Sequence, residues 1–420
     1  MSAGNQKGNQ RDTKNGLDAL NGLKILDFTW VLAGPTATKF LADHGAEVIK
    51  IERRELGDRV RTTYPYAEDE PGTNRSGYFC NVNRGKYGVT LNLKDPRGIE
   101  LIKKLVARSD VVFENFAAEV MAGLGLGYEQ LKEIKPDIIM ISMSGMGHTG
   151  PYQEFISYGP TLQALSGLTY LTGFPDRDPV GPGFSYSDFA GGWAGVLACL
   201  HALHYKNRTG KGQWVDVSQL EGLCVLMGPG FLDFSVNKRI PERMGNRHPF
   251  RKAAPHGAYR CEGEDKWCAI TVFTEDEWQG FCRALKNPPW TREERFSTMT
   301  GRIENMEALD QLVEEWTNVR SAQEVMELLQ REGVPAGVVQ EAPDLVDKDP
   351  QLRHRGFWVE LDHPELGIRK HEGVSFTFTK TPGRLKRPAP LLGEHNDYVF
   401  GEILGMTPEE IKKYTDEEVF

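Results

Sequence analysis

Between residues 23 and 142 the chain alternates short runs dense in Val and Ile with amphipathic stretches, and few folds accept that pattern. Segments 23–29, 47–52, 87–93, 111–115 and 137–142 read as strands, whereas 35–43, 96–108 and 128–134 carry helical periodicity. Strands that are apolar throughout and set between helices are buried on both faces and therefore parallel. The expected fold class is α/β, with a Rossmann-like large domain built on a parallel sheet. Ligands in such sheets lie beyond the carboxyl ends of the strands. The loops after Thr29, Glu52, Leu93, Asn115 and Ser142 are thus the first places to look for a site.

Residues 1–20, rich in Gly, Asn, Lys and Gln without an apolar run, read as a disordered tail rather than a signal peptide. The large domain is expected over 21–223. Over 224–334 the character changes to a smaller α+β domain. It holds a loop over 244–259, a strand over 267–272 and acidic helices near 275–284, 303–316 and 322–332. The long loop from Met244 to Gly257 is a candidate lid. Residues 335–420, with a strand at 336–339, a Pro-rich return and a last helix over 407–413, complete the large domain.

Composition excludes several function classes. A net charge of −9 over 420 residues argues against a general nucleic-acid binder, which needs a basic face. The six cysteines form no CxxC pair and read as reduced thiols of a cytoplasmic protein. His201 and His204 share a helix face but lack a third ligand at a telling spacing, so no metal is expected. No run nears the ~18 unbroken apolar residues of a membrane span. Gly123, Gly125 and Gly127 have the wrong spacing for a dinucleotide fingerprint, which argues against NAD. Lys50, Arg53, Arg54, Arg59 and Arg61 cluster after the second strand. They read either as a seat for a phosphate-bearing molecule or, with Glu52, Glu55 and Asp58 interleaved, as a charge-balanced surface loop.

Asp188 stands where a Gly-rich stretch turns into a helix. Phe189, Trp193, Val196, Leu197, Leu200 and Leu203 have i, i+3, i+4 spacing and predict that helix from Phe189 onward. Free backbone N–H groups and the helix dipole favour an ionised carboxylate there. Asp is also a preferred N-cap, so two readings stand: a cap, or a nucleophile given room by Gly183, Gly191 and Gly192.

Several blocks occur in a telling order: Leu32-Ala33-Gly34-Pro35, the run from Leu41 to Arg53, Asn83-Arg-Gly-Lys-Tyr87 and Leu91-Asn-Leu-Lys94. Glu114-Asn115-Phe116, Gly147-His-Thr-Gly150-Pro151, Asp188, Thr209-Gly-Lys-Gly-Gln213, Pro255-His256-Gly257 and Ala389-Pro-Leu-Leu-Gly-Glu-His395 follow. Together they resemble the class III CoA-transferases, which include formyl-CoA, carnitine and benzylsuccinate CoA-transferases, over nearly the whole chain after the tail. The resemblance implies that Asp188 is the nucleophile. By position, the CoA contacts would be Leu32, Ala33, Arg53, Leu91, Asn92, Leu93, Lys94, Asn115, Phe116 and Ala117. Tyr158 would face the substrate, and backbone N–H groups near Gly191 and Gly192 would stabilise oxyanions. CoA thioesters would be substrates, with no permanently bound cofactor. The resemblance also implies an interlocked dimer, homodimeric or of paired unlike chains. Formyl-CoA transferase has Gln at Leu32 and Arg at Gly123, and the family's common Gln is His148 here, departures that argue against oxalate-type acids.

In the implied mechanism Asp188 attacks an acyl-CoA thioester, giving an acyl-aspartyl anhydride and CoA thiolate. The thiolate returns to the aspartyl carbonyl and frees the donor acid, and an acceptor acid reverses the steps. Leu32, Tyr158, Phe184, Tyr186 and Phe189 point to a bulky or aromatic acceptor, and the resemblance to benzylsuccinate-type enzymes implies succinyl-CoA as donor. Two alternatives are an α-methylacyl-CoA racemase, whose second base would be replaced by Tyr158, and a non-catalytic CoA-binding subunit.

Overall fold

The computed structural model describes residues 18–248 and 251–420, which form two units. The first comprises the chain up to Leu168, Pro182–Pro229 and Arg353–Phe420; the second comprises Thr169–Gly181 and Gly230–Leu352. Of the expected tail, residues 1–17 lie outside the described residues. Asp18 pairs with Lys386, and the Leu20 N–H donates to the His44 carbonyl at 3.0 Å.

The first unit is built on six strands: β1 (Lys24–Asp27), β2 (Glu47–Glu52), β3 (Tyr87–Thr90), β4 (Val111–Glu114), β5 (Ile139–Ser144) and β6 (Trp214–Ser218). They lie in the order β3-β2-β1-β4-β5-β6, and every pairing is parallel. The order reverses between β1 and β4, which opens a crevice at their carboxyl ends. Side chains alternate between the two faces, and both faces are covered. Leu26, Ile51, Val112 and Met140 pack with Leu101 and Leu105 of α2 (Pro96–Val106). Ile25, Val111, Phe113 and Ile141 pack on the other face with Ala37 and Leu41 of α1 (Ala33–Asp43). Each fully buried Leu or Ile contributes roughly 1.5–3 kcal/mol, so burial on both faces explains the unbroken apolar strands.

Three further helices of this unit shape the site: α3 (Gly159–Leu165), α4 (Tyr186–Thr209) and α5 (Gln219–Leu226). Helix α4 lies close on α1 and β5 because glycines replace side chains along its buried face. A Cβ at Gly192 would meet Thr36 Cβ at 2.9 Å, and one at Gly195 would meet Met143 Sδ at 2.5 Å. An antiparallel hairpin, Trp358–His363 with Gly367–Glu372, stands where the sequence predicts only a Pro-rich return.

The second unit holds a three-stranded antiparallel sheet of β7 (His256–Arg260), β8 (Trp267–Thr271) and β9 (Ala336–Val338). Helices α6 (Glu275–Ala284), α7 (Met306–Thr317) and α8 (Ala322–Arg331) cover it. Tyr259, Ile270, Phe281, Leu309 and Val325 form its core. The loop expected over 244–259 therefore ends early, at strand β7, and its residues 249 and 250 lie outside the described residues. Because β9 pairs with β8, the unit extends past residue 335 to Leu352. The helix expected over 303–316 breaks at Asn305, between Met299–Glu304 and α7.

Candidate active site at the carboxyl edge of the sheet

The loops after β1, β4 and β5 enclose a cavity of ≈ 260 Å³ at the point where the strand order reverses. Residues 31–33, 115–117 and 144–146 form its base, with Tyr158, Asp188 and Gln219 closing the sides. The crevice is held to a fixed width by one side chain. Asn115 accepts from the Trp30 N–H at 2.7 Å and donates to the Trp30 carbonyl at 2.8 Å. Below it, Glu114 is buried and accepts the Phe116 N–H at 2.8 Å, with His148 Nε2 3.5 Å away. Burial pushes the Glu114 carboxyl up, against the opposing pull of His148. Val31 takes φ 66°, unusual for a β-branched residue. Its N–H donates to both oxygens of Asp58, at 3.0 and 3.2 Å, which fixes that strained backbone.

Helix α4 begins at Tyr186, three residues before the predicted start, with Ser185 at its N-cap. Asp188 is therefore not the cap. It lies inside the first turn, its N–H donating to the Ser185 carbonyl at 3.0 Å and its carboxylate hydrogen-bonded by the Ser185 side chain. The sequence reading has the helix terminus holding this carboxylate ionised; burial outweighs that effect and pushes Asp188 up to about 6. The start of α3 lies against it. A Cβ at Gly159 would sit 2.8 Å from Asp188 Oδ2, and Ser187 Oγ donates to the Gly159 carbonyl at 3.1 Å.

Leu32, Ala33, Asn115, Phe116, Ala117 and Tyr158 line the same cavity as Asp188. Arg53 does not; it is exposed, with its guanidinium 4.8 Å from the centre of the Trp30 ring. Leu91 is fully buried, its N–H donating to the Glu52 carbonyl at 2.8 Å, while Asn92 and Lys94 are exposed in the turn after β3. Gly191 and Gly192 fall in the helix interior, where backbone N–H groups are taken by carbonyls one turn back. Their missing side chains serve packing: a Cβ at Gly191 would meet Gln219 Cγ at 2.8 Å.

The basic cluster does not form one patch. Lys50 is fully buried, donating to Asp58 at 3.0 Å and to the Thr29 carbonyl at 2.7 Å. Arg61 is equally buried against Glu52 at 2.7 Å, and Arg54 donates to the Thr415 carbonyl at 2.9 Å. Two cavity-lining groups carried no sequence signal. Ser144 Oγ and Gln219 Oε1 are buried without a hydrogen-bond partner among the described residues. Such groups are costly unless something binds them. Among the described residues, no group of three His, Cys, Asp or Glu side chains is arranged to hold a metal ion.

A parallel sheet with a carboxylate in the crevice at its switch point defines a small-molecule enzyme of the α/β class. Residues 20–396 match CoA-transferase family III; the chain belongs to that family and is a CoA-transferase. It is 33% identical to succinyl-CoA:glutarate CoA-transferase of Homo sapiens, over 94% of this chain and 89% of that one. It is also 33% identical to succinyl-CoA–D-citramalate CoA-transferase of Chloroflexus aurantiacus, over 93% of this chain and 96% of that one. Among solved structures, a CAIB/BAIF family protein from Brucella suis superposes with a TM-score of 0.84 at 33% identity, covering 92% and 99% of the two chains.

Proposed function

We propose that the enzyme moves CoA from succinyl-CoA to a second dicarboxylic acid through covalent intermediates on Asp188. The observation that carries this reading is the Asp188 carboxyl on the wall of the switch-point cavity, mostly shielded from water and pushed up to about 6. A carboxylate of raised basicity is a better nucleophile, and a dry site protects an acyl anhydride from hydrolysis. Asp188 Oδ attacks the thioester carbonyl, and the C–S bond breaks to give an aspartyl anhydride and CoA thiolate. The thiolate then attacks the aspartyl carbonyl, releasing succinate and leaving an aspartyl-CoA thioester. The acceptor carboxylate attacks that thioester in turn, and the thiolate closes the cycle. The unpartnered Ser144 hydroxyl, which lines the cavity, is better placed than Gly191 and Gly192 to donate to the oxyanions.

The relatives' names specify succinyl, glutaryl and citramalyl acids, all with two carboxyl groups, which supports a dicarboxylic acceptor. Leu32, Phe116, Phe155 and Ile156 line the cavity and favour one with an apolar body. CoA itself would run over the loops after β1 to β4, with Arg53 and Lys94 outside the cavity for its phosphates. An epimerase would need a second base facing Asp188. No histidine or lysine lines the cavity among the described residues, and the Tyr158 hydroxyl faces Arg59. We also propose a dimer in a reducing compartment, consistent with six free cysteines, Cys224 alone being other than buried.

The test is incubation with succinyl-CoA and hydroxylamine, followed by peptide mapping. The expected product is a hydroxamate on Asp188, absent from Asp188→Asn. An Asp188→Asn protein that still transfers CoA would sink the assignment.

A further inference from the structure

We infer that Arg59 reads the second carboxylate of the dicarboxylic acyl group, an assignment that rests on the CoA-transfer reading of the Asp188 cavity. The 3-10 turn Arg59–Thr62 is fastened on both sides of this residue. Asp58 is fully buried and holds Lys50 at 3.0 Å, caps the turn through the Val60 N–H at 3.2 Å, and fixes Val31 of the cavity wall. Arg61 is fully buried, with Nε and Nη2 on the two oxygens of Glu52 at 2.8 and 2.7 Å. The backbone of Arg59 is therefore rigidly placed between two buried ion pairs, while its own side chain is exposed.

That side chain reaches the rim of the cavity. Nη1 donates to the Tyr158 hydroxyl at 3.3 Å, and Tyr158 lines the cavity with Asp188. Its charge is unopposed: among the described residues no carboxylate lies within ion-pair distance of Arg59. Lys50, Arg61, Arg84 and Lys86 are each paired with a carboxylate at 2.7–3.0 Å. In a chain of net charge −9, an unneutralised guanidinium next to an acid-handling site is a specific feature. Among the described residues, no cationic side chain lines the cavity itself. An acyl group bonded at one end to Asp188 thus finds at the rim a planar guanidinium with N–H donors left over for a carboxylate fork.

The test compares two donors of equal carbon count, succinyl-CoA and butyryl-CoA, by the rate of hydroxamate formation at Asp188. The wild-type protein is expected to favour succinyl-CoA. Arg59→Gln should lower the succinyl-over-butyryl ratio of kcat/KM by about 10–100-fold, the effect of losing one charged hydrogen-bonding partner. Arg59→Lys should keep most of the ratio, and Tyr158→Phe should lower it several-fold by freeing the guanidinium. An unchanged ratio in Arg59→Gln, equal slowing of both donors, or a wild-type protein indifferent to the second carboxyl overturns the inference while leaving transfer through Asp188 intact. Absence of hydroxamate with either donor overturns the transfer reading, and the role of Arg59 with it.

Discussion

At the residue scale, Asp188 holds a charge that its surroundings oppose. Burial raises it from an ordinary 3.8 to about 6, so the folded protein binds this proton more tightly than the unfolded chain. Ionisation therefore destabilises the fold. The cost is absent below pH 4, grows between pH 4 and 6, and is complete above 6. The shift corresponds to ~3 kcal/mol, and partial exposure of the side chain reduces it to about 1–2 kcal/mol. Asp188→Asn is accordingly expected to melt higher than wild type at pH 7.5 and to lose that advantage at pH 4, measured by calorimetry. Hydroxamate formation should rise with pH through about 6, as the nucleophilic carboxylate appears. A second prediction concerns Gly159. Its substitution by Ala brings a methyl 2.8 Å from Asp188 Oδ2, so kcat should fall by about 100-fold, by displacement of the nucleophile. Circular dichroism should show the same helix content.

At the element scale, buried ion pairs set the loops that form the cavity. At the end of β1, Asp27 is fully buried, accepting from Thr29 and Thr38 and facing Lys86 at 2.9 Å. Burial would raise its pKa, but Lys86 and Lys50 outweigh that and hold it low. In the loop after β2, Asp58 joins Lys50 to Val31. Asp58→Ala leaves the Lys50 charge buried without its partner, so unfolding in urea should show a loss of about 3–5 kcal/mol. The sequence makes these elements legible but not their burial. The strands are readable because burial on both faces demands unbroken apolar runs. The acidic and basic residues in and after β2 look alike in one dimension, yet Lys50 and Arg61 are core while Arg53 and Arg59 are surface. The hairpin at 358–372 is equally hidden, since much of it is exposed and few apolar residues mark its alternation.

At the scale of the whole molecule, α4 carries a partly exposed apolar stripe. Trp193, Leu197 and Leu200 retain 47%, 56% and 39% of their surface, which supports the proposed dimer. Sedimentation should give twice the chain mass and the purified chain alone should transfer CoA; an active monomer would refute the dimer. What the sequence alone determined is the α/β class, the positions of strands β1 to β5, the family, and Asp188 as the residue to watch. Each of these follows from local periodicity or from residues adjacent in the chain. Tertiary structure alone decided that Asp188 sits inside the first helical turn against Gly159, that Gly191 makes room for Gln219, and that Arg59 reaches Tyr158. Those relations join residues 28 to 99 positions apart, and close packing, which no one-dimensional pattern encodes, fixes which of them touch.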